Sequence, residues 1–250
     1  MTEDRGARHV IVLAPLPLEF EAAVAAFALR RHDDGTGSPV TGRVGGSRVS
    51  VVRLGMGMHS ARTVTSGLLD GSAPVRPPVD HVMVVGICGG LDPEVEVGTL
   101  LAPEVVVDRA SGDTFHPAAV GPVPRLGKLL TTDGALFDAE TSRRLCADGF
   151  LGVDMETSAV AGVCEARGVP WSVYRCISDR WVDGLLDQRI VDLTATDGSS
   201  DPEALGRLLA SEPELAARLE RLGRDATLAA RRAAEAAYAG YLVLDETGSR

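Results

Sequence analysis

Five short apolar runs constrain this chain more than any other feature. Residues 10–14, 49–54, 81–85, 150–153 and 171–177 are dominated by Val, Ile, Leu and Cys, with little alternation of polar and apolar positions. A strand wetted on one face alternates; a run that does not is buried on both, as in a sheet covered by helices. The stretches between the runs fit that covering. Residues 18–31 place Phe20, Val24 and Phe27 at helical spacing, and 60–69 and 156–167 read as further helices, the latter closed by Gly168 and Pro170. Asp138 is positioned to cap a short helix that ends before Gly149. Residues 33–46 read as a loop or hairpin, 99–107 as a strand weakened by Pro103 and Glu104, and 108–127 as a surface excursion. Asp201-Pro202 opens a first C-terminal helix, and Ser211-Glu212-Pro213-Glu214 has capping-box spacing for a second. Composition does not shift along the chain as it would at a linker. The expected architecture is therefore one α/β domain over 1–250. It is a three-layer αβα sandwich around a central mixed, mainly parallel sheet, with a tail at 1–9 and C-terminal helices at 201–245.

In such a fold the ligand lies beyond the carboxyl ends of the strands. Four of those ends carry distinctive residues. The first leads into Pro15-Leu16-Pro17-Leu18-Glu19, the third into Gly86-Ile87-Cys88-Gly89-Gly90, the fourth into Val153-Asp154-Met155-Glu156, and the fifth into Arg175-Cys176-Ile177-Ser178-Asp179. Each residue alone has an ordinary structural role. Glu19 and Glu156 suit the first turn of a helix, Asp154 and Asp179 suit caps, and the glycines suit a tight turn. Their co-occurrence is what points to one acidic pocket.

Composition excludes other classes. The formal net charge is −10, and aromatic residues make up only 4%, which leaves neither a basic face nor a stacking platform for nucleic acid. The basic stretch from Arg224 to Arg232 is interleaved with acids and reads as a solvated helix face. Cys88, Cys146, Cys164 and Cys176 contain no CxxC pair, and the five histidines form no HxH or HxxxH pair, so no metal site and no cofactor are expected. No apolar stretch approaches a membrane span, and the polar start of the chain leads directly into a strand, which makes a cytoplasmic protein the expectation.

The segment VDMETSAVAGVCEARGVPWSVYRCISD, from Val153 to Asp179, resembles the signature of the purine nucleoside phosphorylase/nucleosidase superfamily. That signature is a Met-Glu pair opening a helix, a Gly-x-Pro turn, and a strand ending Arg-x-x-Ser-Asp. IVLAPLPLEFEAA, GMGMHSA and GICGGLDPEVEVGTLLAPE are similar to its other segments, in the same order, over roughly residues 10 to 185. Within it the chain is most similar to methylthioadenosine/S-adenosylhomocysteine nucleosidases and to hopanoid-associated phosphorylase-like proteins. The resemblance implies cleavage of the N-glycosidic bond of a purine nucleoside, with 5′-modified adenosines such as methylthioadenosine or S-adenosylhomocysteine as the expected substrates, by a homodimer or larger assembly. It implies Asp179 as proton donor to purine N7, with Ser178 beside it, and Glu19 as the carboxylate that positions or deprotonates water. Met155 and Glu156 would hold the ribose, Arg175 would lie near the anomeric carbon, and Leu136 or Phe137 would pack on the base. Ile87, Cys88, Gly89 and Val153 would line the same site.

Hydrolysis is favoured over phosphorolysis. A phosphate dianion needs arginine and backbone donors, yet the first loop is Ala14-Pro15-Leu16-Pro17, and Val84-Val85 precede the glycines. Arg53 and Arg62 are the remaining phosphate candidates, and His59 the one histidine at a strand-end loop. Ile87 stands where the nucleosidases usually carry a serine that helps hold the aspartate and water, so either main chain replaces it or the substrate differs. Two rivals remain. One is a dinucleotide oxidoreductase suggested by Gly55-x-Gly57, which lacks the third glycine because Ser60 stands there. The other is a non-catalytic nucleoside-binding protein.

Overall fold

The computed structural model describes residues 8–30, 39–75, 77–136, 138–185, 188–193, 195, 201–212 and 214–248. Its strands are β1 (His9–Ala14), β2 (Val40–Val44), β3 (Ser47–Arg53), β4 (His81–Gly90), β5 (Leu100–Leu101), β6 (Val105–Asp108), β7 (Thr114–Phe115), β8 (Lys128–Thr131), β9 (Phe150–Asp154) and β10 (Trp171–Arg180). Its helices are α1 (Pro17–Ala26), α2 (Met58–Leu69), α3 (Ala139–Ala147), α4 (Thr157–Ala166), α5 (Gln188–Asp192), α6 (Pro202–Ser211) and α7 (Glu214–Gly248), with a 3₁₀ turn at Trp181–Asp183.

The strands form one ten-stranded mixed sheet in the order β2-β3-β1-β4-β9-β8-β6-β7, with β10 beside β4 and β5 beside β10. The unalternating runs are explained by the cover on each face. Val10, Val12, Met83, Val85, Tyr174 and Cys176 point to a core shared with α1 and the alanines of α7. Ile11, Leu13, Val82, Val84, Val173 and Ile177 point to an opposite core shared with α2 and α4. Each strand feeds both cores with alternate side chains.

Parallel pairing is broken at one place that matters. β1 pairs with β4 only as far as Leu13 opposite Val84. Beyond that β4 changes neighbour, and Gly89 and Gly90 pair antiparallel with Val153 and Gly152 of β9. The carboxyl tips of β4 and β9 therefore meet head-on, and both halves of the sheet deliver their ends to one spot.

Several boundaries differ from the sequence reading. β4 does not stop at Val85 before a turn. It runs through the glycines because β10 pairs with it from Trp171 opposite Val82 to Arg180 opposite Gly90. For the same reason Asp179 lies in a strand rather than capping a helix, next to a register shift between Ile177 and Asp179. The expected helix over 18–31 ends at Ala26, where Phe27 caps it and Ala28 turns to positive φ. Pro103 splits the expected strand over 99–107 into β5 and β6. Ser211 ends α6 and donates to Leu208 O, so it does not open a capping box; position 213 lies outside the described residues. Asp138 and Asp201 do cap α3 and α6. The excursion over 108–127 contains β7, and its Asp108 is buried and accepts from Ser158. Cys88, Cys164 and Cys176 are buried and unpaired. Among the described residues no helix is long and apolar enough to cross a membrane.

Candidate active site

The strand tips floor a cavity of about 510 Å³. Glu19, Ile87, Cys88, Gly89, Leu136, Val153, Asp154, Met155, Glu156, Ser178 and Asp179 all line it. The sequence reading had named each of these, Asp154 only as a possible cap. Phe137 lies outside the described residues. Arg53, His59 and Arg62 are exposed and are not among the lining residues.

Arg175 is placed differently from the rest. Its side chain is fully buried and lies beneath the floor, not among the lining residues. Its Nη2 donates to Asp154 Oδ2 at 2.5 Å and to Glu156 Oε2 at 3.3 Å, and Nη1 donates to Ile87 O at 3.2 Å and stands 3.7 Å from Glu19 Oε1. Asp154 is anchored further by Thr131 Oγ1 at 2.7 Å and by the backbone and hydroxyl of Thr157. One guanidinium thus sits among three buried carboxylates. Together they would leave uncompensated negative charge if all three ionised, and desolvation disfavours that.

The pKa directions follow from this crowding. Burial pushes Glu19 up to about 7, opposed by Arg175 and by two backbone donors. Burial pushes Glu156 up to about 7 as well, again opposed by Arg175 and assisted by the charge of Asp154. Burial tends to lower the Arg175 guanidinium, but Asp154, Glu156 and Glu19 outweigh it and hold the group charged. Burial also raises Asp179, against the hydrogen bond from Ser178.

Backbone donors aim the carboxylates. Leu16 N donates to Glu19 Oε2 at 2.5 Å and Ile87 N to Oε1 at 2.7 Å. Gly57 N donates to Glu156 Oε1 at 2.8 Å. Gly57 has φ +93°, which favours glycine, and this turn at the head of α2 is what presents that N–H. Of the Gly55-x-Gly57 pair, Gly57 serves the carboxylate of Glu156, whereas Gly55 N donates to Pro15 O. Gly86 has a steric reason: a Cβ there would lie 2.1 Å from Glu19 Oε1 and 2.6 Å from Arg175 Nη1.

Asp179 is held by Ser178, whose Oγ stands 2.6 Å from Asp179 Oδ1 and 3.3 Å from Cys88 O. Ile87, which has no side-chain hydroxyl, contributes its backbone N–H to Glu19. Sequence reasoning missed Leu16, Gly57, Thr131 and Thr157 as partners of the acids. Gly57 alone left a signal, since a glycine closing a strand invites a backbone role.

The sequence pattern of the family described as the phosphorylase superfamily matches residues 9–126 and 118–211. The 5′-methylthioadenosine/S-adenosylhomocysteine nucleosidase of Geobacillus thermodenitrificans is 28% identical over 169 residues, 56% of this chain and 70% of the relative. The nucleosidase of the same name from Geobacillus kaustophilus is 29% identical, over 55% and 69%. Among solved structures, a Helicobacter pylori nucleosidase of that name has a TM-score of 0.68 at 16% identity, covering 96% of this chain and 99% of its own. Futalosine hydrolase of Helicobacter pylori also scores 0.68 at 16% identity, covering 95% and 99%. The low identities show a shared fold. The pattern that spans both halves of the sheet shows more: this chain belongs to the phosphorylase superfamily.

Proposed function

We propose that this protein is a nucleosidase that hydrolyses the N-glycosidic bond of a purine nucleoside. Asp179 donates the proton to purine N7 and Glu19 receives a proton from the attacking water. As the C1′–N9 bond breaks, its electron pair leaves with the base, and the proton from Asp179 neutralises it. Help of this kind contributes roughly 10²–10⁴ in rate. Positive charge then develops on the ribose, above a floor whose carboxylates stabilise it electrostatically. Glu156, fixed by Gly57 N and Arg175, accepts from the ribose hydroxyls, with Met155 against the sugar. Water adds to C1′ and its proton passes to Glu19. Arg175 acts from below by keeping the carboxylates in place.

The observation that carries hydrolysis is the occupation of the backbone donors. Ile87 N, Leu16 N and Gly57 N, the N–H groups that would cradle a phosphate, are each taken by a carboxylate. A phosphate dianion would meet like charge where it needs donors. The relatives' names support a 5′-modified adenosine as substrate, such as methylthioadenosine or S-adenosylhomocysteine. The family resemblance carries with it a homodimer or larger assembly working in the cytoplasm.

The test is adenine release from methylthioadenosine with and without phosphate. Release at equal rate, with free methylthioribose as product, is expected. Strict dependence on phosphate, with a ribose 1-phosphate as product, would move the protein to the phosphorylases.

A further inference from the structure

Besides its acidic floor, the cavity has an apolar wall that includes Trp181, Ile190, Val191, Leu219, Leu222 and Ala226. Behind the floor lies a row of buried polar groups that belongs to neither. Strands β6, β8 and β9 end abreast, with Asp108 opposite Thr131 and Thr131 opposite Asp154. The first turn of α4 is bonded to all three ends. Ser158 N donates to Thr131 Oγ1 at 3.0 Å, and Ser158 Oγ donates to Asp108 Oδ2 at 3.0 Å. Thr131 Oγ1 accepts from Ser158 N and gives its own hydrogen to Asp154 Oδ1 at 2.7 Å. Asp108 is fixed from its other side, where Ala110 N and Ser111 N donate to Oδ1 at 2.9 and 3.2 Å. Asp108, Thr131, Thr157 and Ser158 are buried, and none of them is among the residues lining the cavity.

The physical reason for this row lies at the N-cap of α4. A helix opens with N–H groups that have no partner within it, and the N-cap side chain ordinarily accepts from one of them. The N-cap of α4 is Glu156, and its side chain makes no such bond. Its two oxygens are used elsewhere, Oε1 by Gly57 N and Oε2 by Arg175. The strand ends cap the helix instead: Thr157 N donates to Asp154 Oδ2 at 3.2 Å, and Ser158 N to Thr131. Building on the nucleosidase reading, in which Glu156 accepts from the ribose hydroxyls, we infer that Thr131, Ser158 and Asp108 are positioning residues for the reaction. They cap and hold α4 in place of its own N-cap side chain, which leaves the Glu156 carboxylate free for the sugar. Without the Thr131 hydroxyl, Ser158 N becomes a buried donor lacking its acceptor, a costly state. Glu156 stands at the position from which a side chain satisfies that donor. A carboxylate drawn back to its own helix no longer meets the ribose.

The experiment measures kcat/KM for adenine release by the full chain from methylthioadenosine and from its 2′-deoxy and 3′-deoxy analogues. The ratio of parent to analogue reports the grip on each hydroxyl, and intrinsic reactivity cancels when a variant is set against the wild type. Thr131→Val keeps the side-chain shape and removes the hydroxyl. It is expected to lower kcat/KM for the parent by about 100-fold, the usual cost of a misplaced group near the reacting atoms. It is also expected to shrink the ratio for at least one analogue by about tenfold, because the analogue has less grip to lose. Thr131→Ser, which keeps the hydroxyl, is expected to restore both quantities. Ser158→Ala, one bond further from Glu156, should lower kcat/KM for the parent by about tenfold and shrink the same ratio. It carries the test in case Thr131→Val does not fold. A lower melting temperature with both ratios unchanged in the folded variants would overturn the inference, reduce the row to a structural support, and leave the glycosidase intact. No adenine from any of the three compounds with the wild type would overturn the nucleosidase reading and the inference with it.

Discussion

The floor of the cavity and its apolar wall are built on opposite physical principles. The floor is made of strand tips locked into a sheet, and its acids are held by backbone N–H groups and by a guanidinium that is 0% exposed. The wall is made of helices and a 3₁₀ turn outside the sheet, held by half-buried Arg218 at the carbonyls of Gly184 and Leu185 and by exposed Arg221 beside Asp183. The floor is rigid because moving any carboxylate would strand a buried charge. The wall has no such penalty, so its side chains can change without disturbing the chemistry of the floor. The difference teaches which substitutions should stop the reaction and which should spare it.

The largest effect is expected at Asp179. Asp179→Asn keeps the shape and removes the proton, so kcat for adenine release should fall by about 10³-fold. Its thermal stability should not fall, because a desolvated carboxyl is replaced by a neutral amide. Undiminished turnover in that variant would sink the mechanism.

Next comes Gly86→Ala. The added methyl enters the space of Glu19 and Arg175, and overpacking of this kind costs about 1–3 kcal/mol. Activity should drop by about 100-fold as Glu19 is displaced from its two donors. The same glycine-to-alanine change at Gly223, which lines the wall and where a Cβ meets nothing within 4 Å, should leave kcat nearly unchanged. Equal losses at the two positions would erase the contrast between floor and wall.

Asp154→Asn sharpens the account of the floor's charge. It removes a like charge from beside Glu19 and Glu156 and leaves Arg175 to serve them. Both changes favour ionised Glu19. The acid limb of kcat/KM against pH, expected near pH 7 in the wild type where Glu19 titrates, should move down by about one unit. An unmoved or raised limb would show that Asp154 does not set the proton count.

The same groups make a milder prediction for stability. Glu19 and Glu156 titrate at about 7 in the folded chain against an ordinary 4.5. The folded state therefore holds protons that the unfolded state has lost. Stability from these groups is fully present below about pH 4.5 and is lost as the pH rises through 7. The melting temperature of the unliganded protein should fall between pH 5.5 and pH 8 by several degrees, and Glu156→Gln should flatten that fall.

The smallest effect is expected on the wall's ties. Arg218→Ala removes the bonds to Gly184 and Leu185 carbonyls, worth about 1–3 kcal/mol as charge-assisted contacts. It should raise KM several-fold with kcat unchanged.

Much of the floor was legible in the sequence. Acids at strand ends, a Met-Glu pair before a helix and an Arg-x-x-Ser-Asp strand are local patterns, and a helix-covered sheet has little choice about where its strand ends point. The runs at 10–14 and 81–85 show why the layers could be read, since only burial on both faces tolerates so little alternation. What the sequence could not settle was decided by pairing partners distant along the chain. Residues 86–90 continue a strand instead of turning because β10 lies alongside. Arg175 lies under the floor because three acids from β9, its following turn and α1 converge on it. Leu219, Leu222 and Ala226 line the cavity only because the tertiary structure sets α7 against it. Local pattern is written in neighbours along the chain, whereas a buried charge cluster or a cavity wall depends on which distant segments share one desolvated space, and folding alone assigns that.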